Sequence, residues 1–159
     1  KLAIKQATGY PANCLVLSET VWLKLIDHPD IVDRVKYGQT AGRPAMVTKE
    51  ALAAILEIDE VLVMGAIENT AAEGVANAHT FIGGKNAMLC HVARNPGLLT
   101  PSCAYTFSWT GYLGAGAEGN RIKRYRWEII SSDIVELEMA FDQKLVAPEL
   151  GYFFSGAVA

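Results

Sequence analysis

Hydrophobic positions recur at two different periods along the chain, helical in the first third and alternating towards the end. Val21, Trp22, Leu25 and Ile26 fall at helical spacing within SETVWLKLIDH, and Ser18 stands where an N-cap is needed, with Glu19 in the first turn. His28-Pro29 interrupts this pattern, and Pro29 suits the first turn of a second helix over DIVDRVKY. Gly38 to Pro44 reads as a loop from its Gly, Gln, Thr and Pro content. Thr48 caps a third helix, KEALAAILEI, whose Leu52, Ile55 and Leu56 form one stripe. EVLVMGAI follows directly; short, continuous and apolar up to Gly65, it predicts a buried strand.

Beyond this point the signals are those of strands and turns. Residues 68–80 are small and polar and predict an exposed loop, and NAMLCHV (86–92) predicts a strand. NPGLLTP is a turn-rich connection, AYTFSW places Tyr105, Phe107 and Trp109 on one face, and GYLGAGAEGN is a Gly-rich hinge or turn. The clearest alternation comes next. RIKRYRWEII puts Tyr125, Trp127 and Ile129 on one face and Arg124, Arg126 and Glu128 on the other. In DIVELEMAF, Val135, Leu137, Met139 and Phe141 alternate with Glu136 and Glu138. Two half-buried strands are expected. Paired antiparallel, they would set Lys123, Arg124 and Arg126 against Glu136 and Glu138, at roughly 0.2–1 kcal/mol per pair. Helices early and strands late make the fold class α+β.

Composition narrows the functional classes. With 159 residues, one domain or a domain plus a small lobe is expected. Hydrophobic residues make up 51% and charged residues 19%, which excludes disorder as the main state. The 14 Lys and Arg nearly balance 17 Asp and Glu, so no basic field exists to hold nucleic acid by charge alone. From Val61 to Ala117 the charged residues are Glu68, Glu73, Lys85 and Arg94. So apolar a stretch is expected inside the domain or against other subunits. The uncharged run from Asn95 to Ala117 is broken by Pro96, Pro101 and several Gly, and does not read as a membrane span. Three cysteines without CxxC spacing, and no glycosylation sequon, favour a reduced intracellular setting. The opening at Lys1 reads as a piece of a longer protein or a processed product.

Candidate chemistry is sparse. Gly114 to Gly119 matches GxGxxG, but a β-patterned segment follows it where a dinucleotide site needs a helix N-terminus. Cys90 and His91, adjacent in a strand, point to opposite faces, and His79 has no partner at metal-ligand spacing. A nucleophilic Cys103 served by His28 or His79 stands against the commoner buried structural cysteine. The acidic groups Asp27/Asp30/Asp33, Asp59/Glu60 and Glu136/Glu138 read as helix-start, turn and solvated-face residues. Arg121, Lys123, Arg124 and Arg126 read either as the polar face of a strand or as a contact with acidic residues of another subunit. Tyr125 and Trp127 on the opposite face make base stacking by the same surface awkward.

In order along the chain stand TGYPANCLVLSETVWLKLIDHPDIVDRVKY, EIDEVLVMGAIENTAAEG, FIGGKNAMLC, TPSCAYTFSW, RYRWEI and KLVAPELGYFFSGAV. This succession resembles the C-terminal part of major capsid proteins of tailed bacteriophages and prophages, which have the Hong Kong 97-type fold. The resemblance implies an axial-type α+β domain over 1–120, its sheet flanked by helices, and long strands over 121–159 returning to a peripheral-type domain. It implies a structural, non-enzymatic, shell-forming subunit with no cofactor and no metal. Its partners would be further copies of itself in capsomers and an icosahedral shell, together with scaffold and portal proteins. The shell would enclose DNA without sequence-specific recognition or a membrane, as a virion capsid assembled in the bacterial host cytoplasm. Loop 68–80 is similar to the axial loop that meets its symmetry mates. Subunit-contact candidates are Glu68, Asn69, Thr70, Glu73 and Asn77, the segment Gly111–Gly119, and Arg121, Lys123, Arg124 and Arg126. The alternatives are an encapsulin-like compartment shell, a small intracellular enzyme using Cys103 or the Gly-rich loop, and a monomeric interaction domain.

Overall fold

The strand Cys14–Ser18 (β1) is the centre of the larger folded unit, and the rest of that unit is arranged around it. The structure, a computed structural model, describes residues 1–37, 46–109, 111 and 120–158. A short helix, Leu2–Thr8 (α1), precedes β1, and Gly9 ends it in the left-handed region at φ 80°, where a residue without Cβ is favoured. Ser18 then caps Glu19–Ile26 (α2), its hydroxyl accepting from the Val21 N–H at 3.3 Å. Pro29–Tyr37 (α3) follows with Pro29 in its first turn, and Thr48 caps Lys49–Leu56 (α4) by accepting from the Ala51 N–H at 3.2 Å. Both expected caps are in place.

Glu60–Met64 (β2) lies parallel to β1, from Cys14↔Glu60 to Ser18↔Met64, so the three helices form one crossover. Ala87–Cys90 (β5) and Gly151–Phe154 (β10) complete an antiparallel flank, giving the order β10-β5-β1-β2. The core joins Ile4, Leu15, Leu17, Val21, Leu52, Val61 and Leu89, with Trp22, Leu25 and Leu56 packed on it. β2 differs from its expectation. It is an edge strand with Leu62 and Met64 exposed and Val61 buried, so an apolar run here marks a sheet margin rather than an interior.

Ile67–Asn69 (β3) and His79–Phe81 (β4) form a small ladder. Ala104–Ser108 (β6) pairs with Phe141–Leu145 (β9), and Asn120–Trp127 (β7) pairs with Ser132–Met139 (β8). The class is α+β. The chain divides into two compact units, Lys1–Cys103 with Ala147–Ala159, and Ala104–Val146. The expected division at residue 120 falls elsewhere, because β10 pairs with β5 and carries the C-terminal segment into the first unit, while β6 pairs with β9 in the second.

Candidate functional site

The expected loop 68–80 is a hairpin whose rims are strands. Glu68 and Asn69 lie in β3 opposite Thr80 and His79. Asn69 organises the turn: its Oδ1 accepts from the Ala71 N–H at 3.1 Å and the Ala78 N–H at 3.0 Å, and its Nδ2 donates to Asn77 Oδ1 at 3.1 Å. Thr70 donates its hydroxyl to the Ala78 carbonyl at 3.2 Å. Three of the five candidates there, Asn69, Thr70 and Asn77, are thus engaged in shaping the hairpin, while Glu68 and Glu73 are exposed. The outward apolar surface of this hairpin is Ile67, Val75, Phe81 and Ile82, residues that polarity-based reading passed over.

The four cations of β7 do not share a face. Register pairs Arg121 with Glu138 and Lys123 with Glu136, on the side of Tyr125 and Trp127, whereas Arg124 and Arg126 lie on the other side with Val135 and Asp133. Arg121 Nε donates to Glu138 Oε2 at 2.7 Å, and Lys123 bonds the other oxygen of the same carboxylate. Those two donors, Lys123 first, hold the Glu138 carboxyl below the usual carboxylate range. Arg126 reaches Asp133 at 3.1 Å and Glu128 at 3.4 Å. The expected face of Tyr125, Trp127 and Ile129 ends early. Glu128–Ile130 is a 3₁₀ turn, and Ser131 follows in the left-handed region at φ 48°, so Glu128 and Ile129 leave the strand period.

Half-burial of these strands is also corrected. Ile122, Val135, Leu137 and Met139 are each about 60% exposed, and Tyr125 and Trp127 nearly half. No described residue of 104–146 is buried. An alternating pattern normally reports one covered face; here the chain supplies the pattern without the cover. The same holds for most of 61–109, where Ile82, Leu98, Leu99, Phe107 and Trp109 stand in solvent. Outside Val61, Ala87–Cys90 and Cys103, its poverty in charge does not come from an interior.

The chemical candidates fall differently. Cys103 is 2% exposed and joins Cys14, Cys90 and Leu150 in a small cluster. Burial pushes its thiol up, and the hydrogen bond shared with Cys14, followed by burial, pushes Cys90 up, so neither is a ready thiolate. His28 stands 4.0 Å from Asp30, His79 is exposed in β4, and His91 donates Nδ1–H to the Pro11 carbonyl at 2.8 Å. Among the described residues no three His, Cys, Asp or Glu side chains converge as a metal site would require. The GxGxxG segment, the Gly111–Gly119 contact candidate apart from Gly111, and the Gly38–Pro44 loop lie outside the described residues. An open groove of about 550 Å³ runs past Asn13, Asp59, Glu60, Val92 and Arg94. Three of its polar side chains are already engaged: Arg94 donates to Asp59 at 2.8 Å, and Asn13 exchanges two 2.8 Å bonds with the Val92 backbone. No described helix is long and apolar enough to cross a membrane.

These features define an α+β protein whose described residues present extended, exposed β surfaces. The chain matches no protein-family model. It matches no curated protein. Among solved structures it is similar to the crystal structure of a phage-related protein from Bordetella bronchiseptica, with a TM-score of 0.79 and 25% identity over 99% of this chain. The similarity covers 48% of that protein, so the chain spans about half its length.

Proposed function

We propose that the chain is the C-terminal part of a Hong Kong 97-type major capsid protein, a structural subunit that builds the shell of a phage or prophage. The observation that carries this reading is unit 104–146, in which no described side chain is buried although its strands alternate as covered strands do. A lone two-stranded ribbon is marginal in water, and apolar surface of this extent marks an interface. Exposed apolar residues on the 67–82 hairpin and at Leu98 and Leu99 add further patches. Many modest contacts in closed symmetry give a stable shell without any one of them being strong. Similarity to a phage-related protein supports a phage setting over a cellular compartment. On this reading the partners are copies of the same subunit, then scaffold and portal proteins. The shell encloses DNA without reading its sequence and assembles in the bacterial cytoplasm, and the subunit performs no catalysis.

The test is to express the full-length protein with and without its scaffold and image the product by negative-stain electron microscopy. Closed shells or isolated capsomers are expected. Their absence under every assembly condition overturns the proposal.

A further inference from the structure

The charges of the β7–β8 ladder are sorted by strand. β7 carries Arg121, Lys123, Arg124 and Arg126 and no acid; β8 carries Asp133, Glu136 and Glu138 and no base. Among the described residues the two strands form a sheet of two, so each has one edge without a hydrogen-bonding neighbour. Both are eight residues long, neither contains proline, and their apolar side chains other than Ile134 are exposed. Such edges recruit another strand unless something blocks them. This sheet therefore has a basic edge and an acidic edge.

The sorting decides which partner fits. A twofold contact sets β7 against β7 or β8 against β8, opposing like charges along the whole row. A head-to-tail contact sets β8 of one copy beside β7 of the next. It repeats the antiparallel relation already made within the hairpin, where Arg121 faces Glu138 and Lys123 faces Glu136. Each acidic residue then lies between two basic ones, its own and the neighbour's. Arg124, which has no ion-pair partner among the described residues, leaves positive charge in excess on the basic edge. We propose that the β7–β8 sheet pairs edge to edge with a second copy of this chain, β8 of one against β7 of the next. Such heterologous contacts generate rings or filaments rather than twofold dimers. The inference deepens the shell reading and rests on it for the expectation that the ring closes into a capsomer.

Two experiments on the full-length protein test it. In the first, Arg121→Glu, Lys123→Glu, Glu136→Lys and Glu138→Arg are combined, which preserves the Arg121–Glu138, Lys123–Glu136 and Lys123–Glu138 pairs with reversed sign. The swapped protein is expected to assemble alone, but to exclude wild type from mixed assemblies at least about tenfold when differently tagged forms are co-expressed. In the second, which needs no charge reversal, Arg124→Cys and Val135→Cys proteins are oxidised with a copper–phenanthroline catalyst, separately and mixed. The mixture is expected to give at least ten times more disulfide-linked dimer than either alone. Shells that mix freely, with single variants cross-linking as well as the mixture, overturn the edge contact and leave the shell reading standing. Sorted rings that never close a shell support the edge contact and overturn the shell reading. A wild-type chain that stays monomeric at every concentration overturns both.

Discussion

The same substitution, Leu→Ala, is expected to have opposite consequences at two positions. Leu17 is 2% exposed at the middle of the four-stranded sheet, whereas Leu137 is 60% exposed on β8. Truncating a fully buried leucine costs about 2–5 kcal/mol, combining lost transfer energy with a residual cavity. For a chain of this size that lowers the melting temperature by roughly 5–15 °C. At Leu137 the chain itself covers only a minor part of the side chain. Full burial of a leucine is worth about 1.5–3 kcal/mol, so the isolated chain loses about 1 kcal/mol or less and melts within a few degrees of wild type. The remaining area is available to a neighbour, and losing it there costs about 1–2 kcal/mol per contact, which raises the concentration needed for assembly roughly tenfold. Differential scanning calorimetry of the dissociated chain and light scattering of the assembling protein separate the two effects. An isolated Leu137→Ala chain that melts as low as Leu17→Ala would refute the reasoning, because it would show that β8 is covered within its own chain.

Further expectations follow from individual contacts. A Cβ at Gly83 would lie 2.8 Å from Ser18 Cβ and 2.6 Å from the end of Met64, so Gly83→Ala should destabilise by about 1–3 kcal/mol in urea unfolding; an unchanged midpoint contradicts the packing. Asn13→Ala removes both side-chain bonds to Val92 and should cost about 1–3 kcal/mol in the same assay, with faster amide exchange at Val92. The three free cysteines should resist Ellman's reagent at pH 8 in the native protein and all react in denaturant; rapid native reaction of Cys103 would favour the thiol-enzyme reading. The Glu138 carboxyl, depressed in the folded state, stabilises the ladder above the unfolded carboxylate value and loses that contribution as acid passes through its lowered pKa. Carbon-13 NMR titration should place Glu138 below the usual carboxylate range, and an ordinary value would remove the Lys123 and Arg121 contacts from the account.

What could be read from the chain was whatever is local. Ser18 and Thr48 announce α2 and α4 because a capping hydroxyl acts within three residues, and Pro29 marks the start of α3 for the same reason. The strands β1 and β10 went unread: CLVLS and GYFF do not alternate, and both become strands through long-range pairing with β5. The Cys14–Cys90 meeting is likewise a product of register, which no spacing between the two residues encodes. At the candidate contact surfaces the alternation of the strands was legible but the arrangement of their residues was not. Period two correctly sorted Val135, Leu137 and Met139 from Glu136 and Glu138, yet it reports which side is apolar and not what covers it. Arg124 was grouped with Lys123 by proximity in sequence, although alternation sends them to opposite faces. Polarity drew the contact candidates to Asn69, Thr70 and Asn77, which close their own hairpin, and away from Ile67 and Phe81, which face solvent.

Amide hydrogen exchange across 120–139, compared between purified assembled particles and the dissociated full-length protein, tests the central claim most directly. The β7 and β8 amides, exchanging rapidly in the dissociated chain, are predicted to gain protection of at least a hundredfold on assembly, as edges and apolar faces are covered by neighbouring copies. Equal exchange in both states would mean that these strands meet no other copy, and would contradict the account.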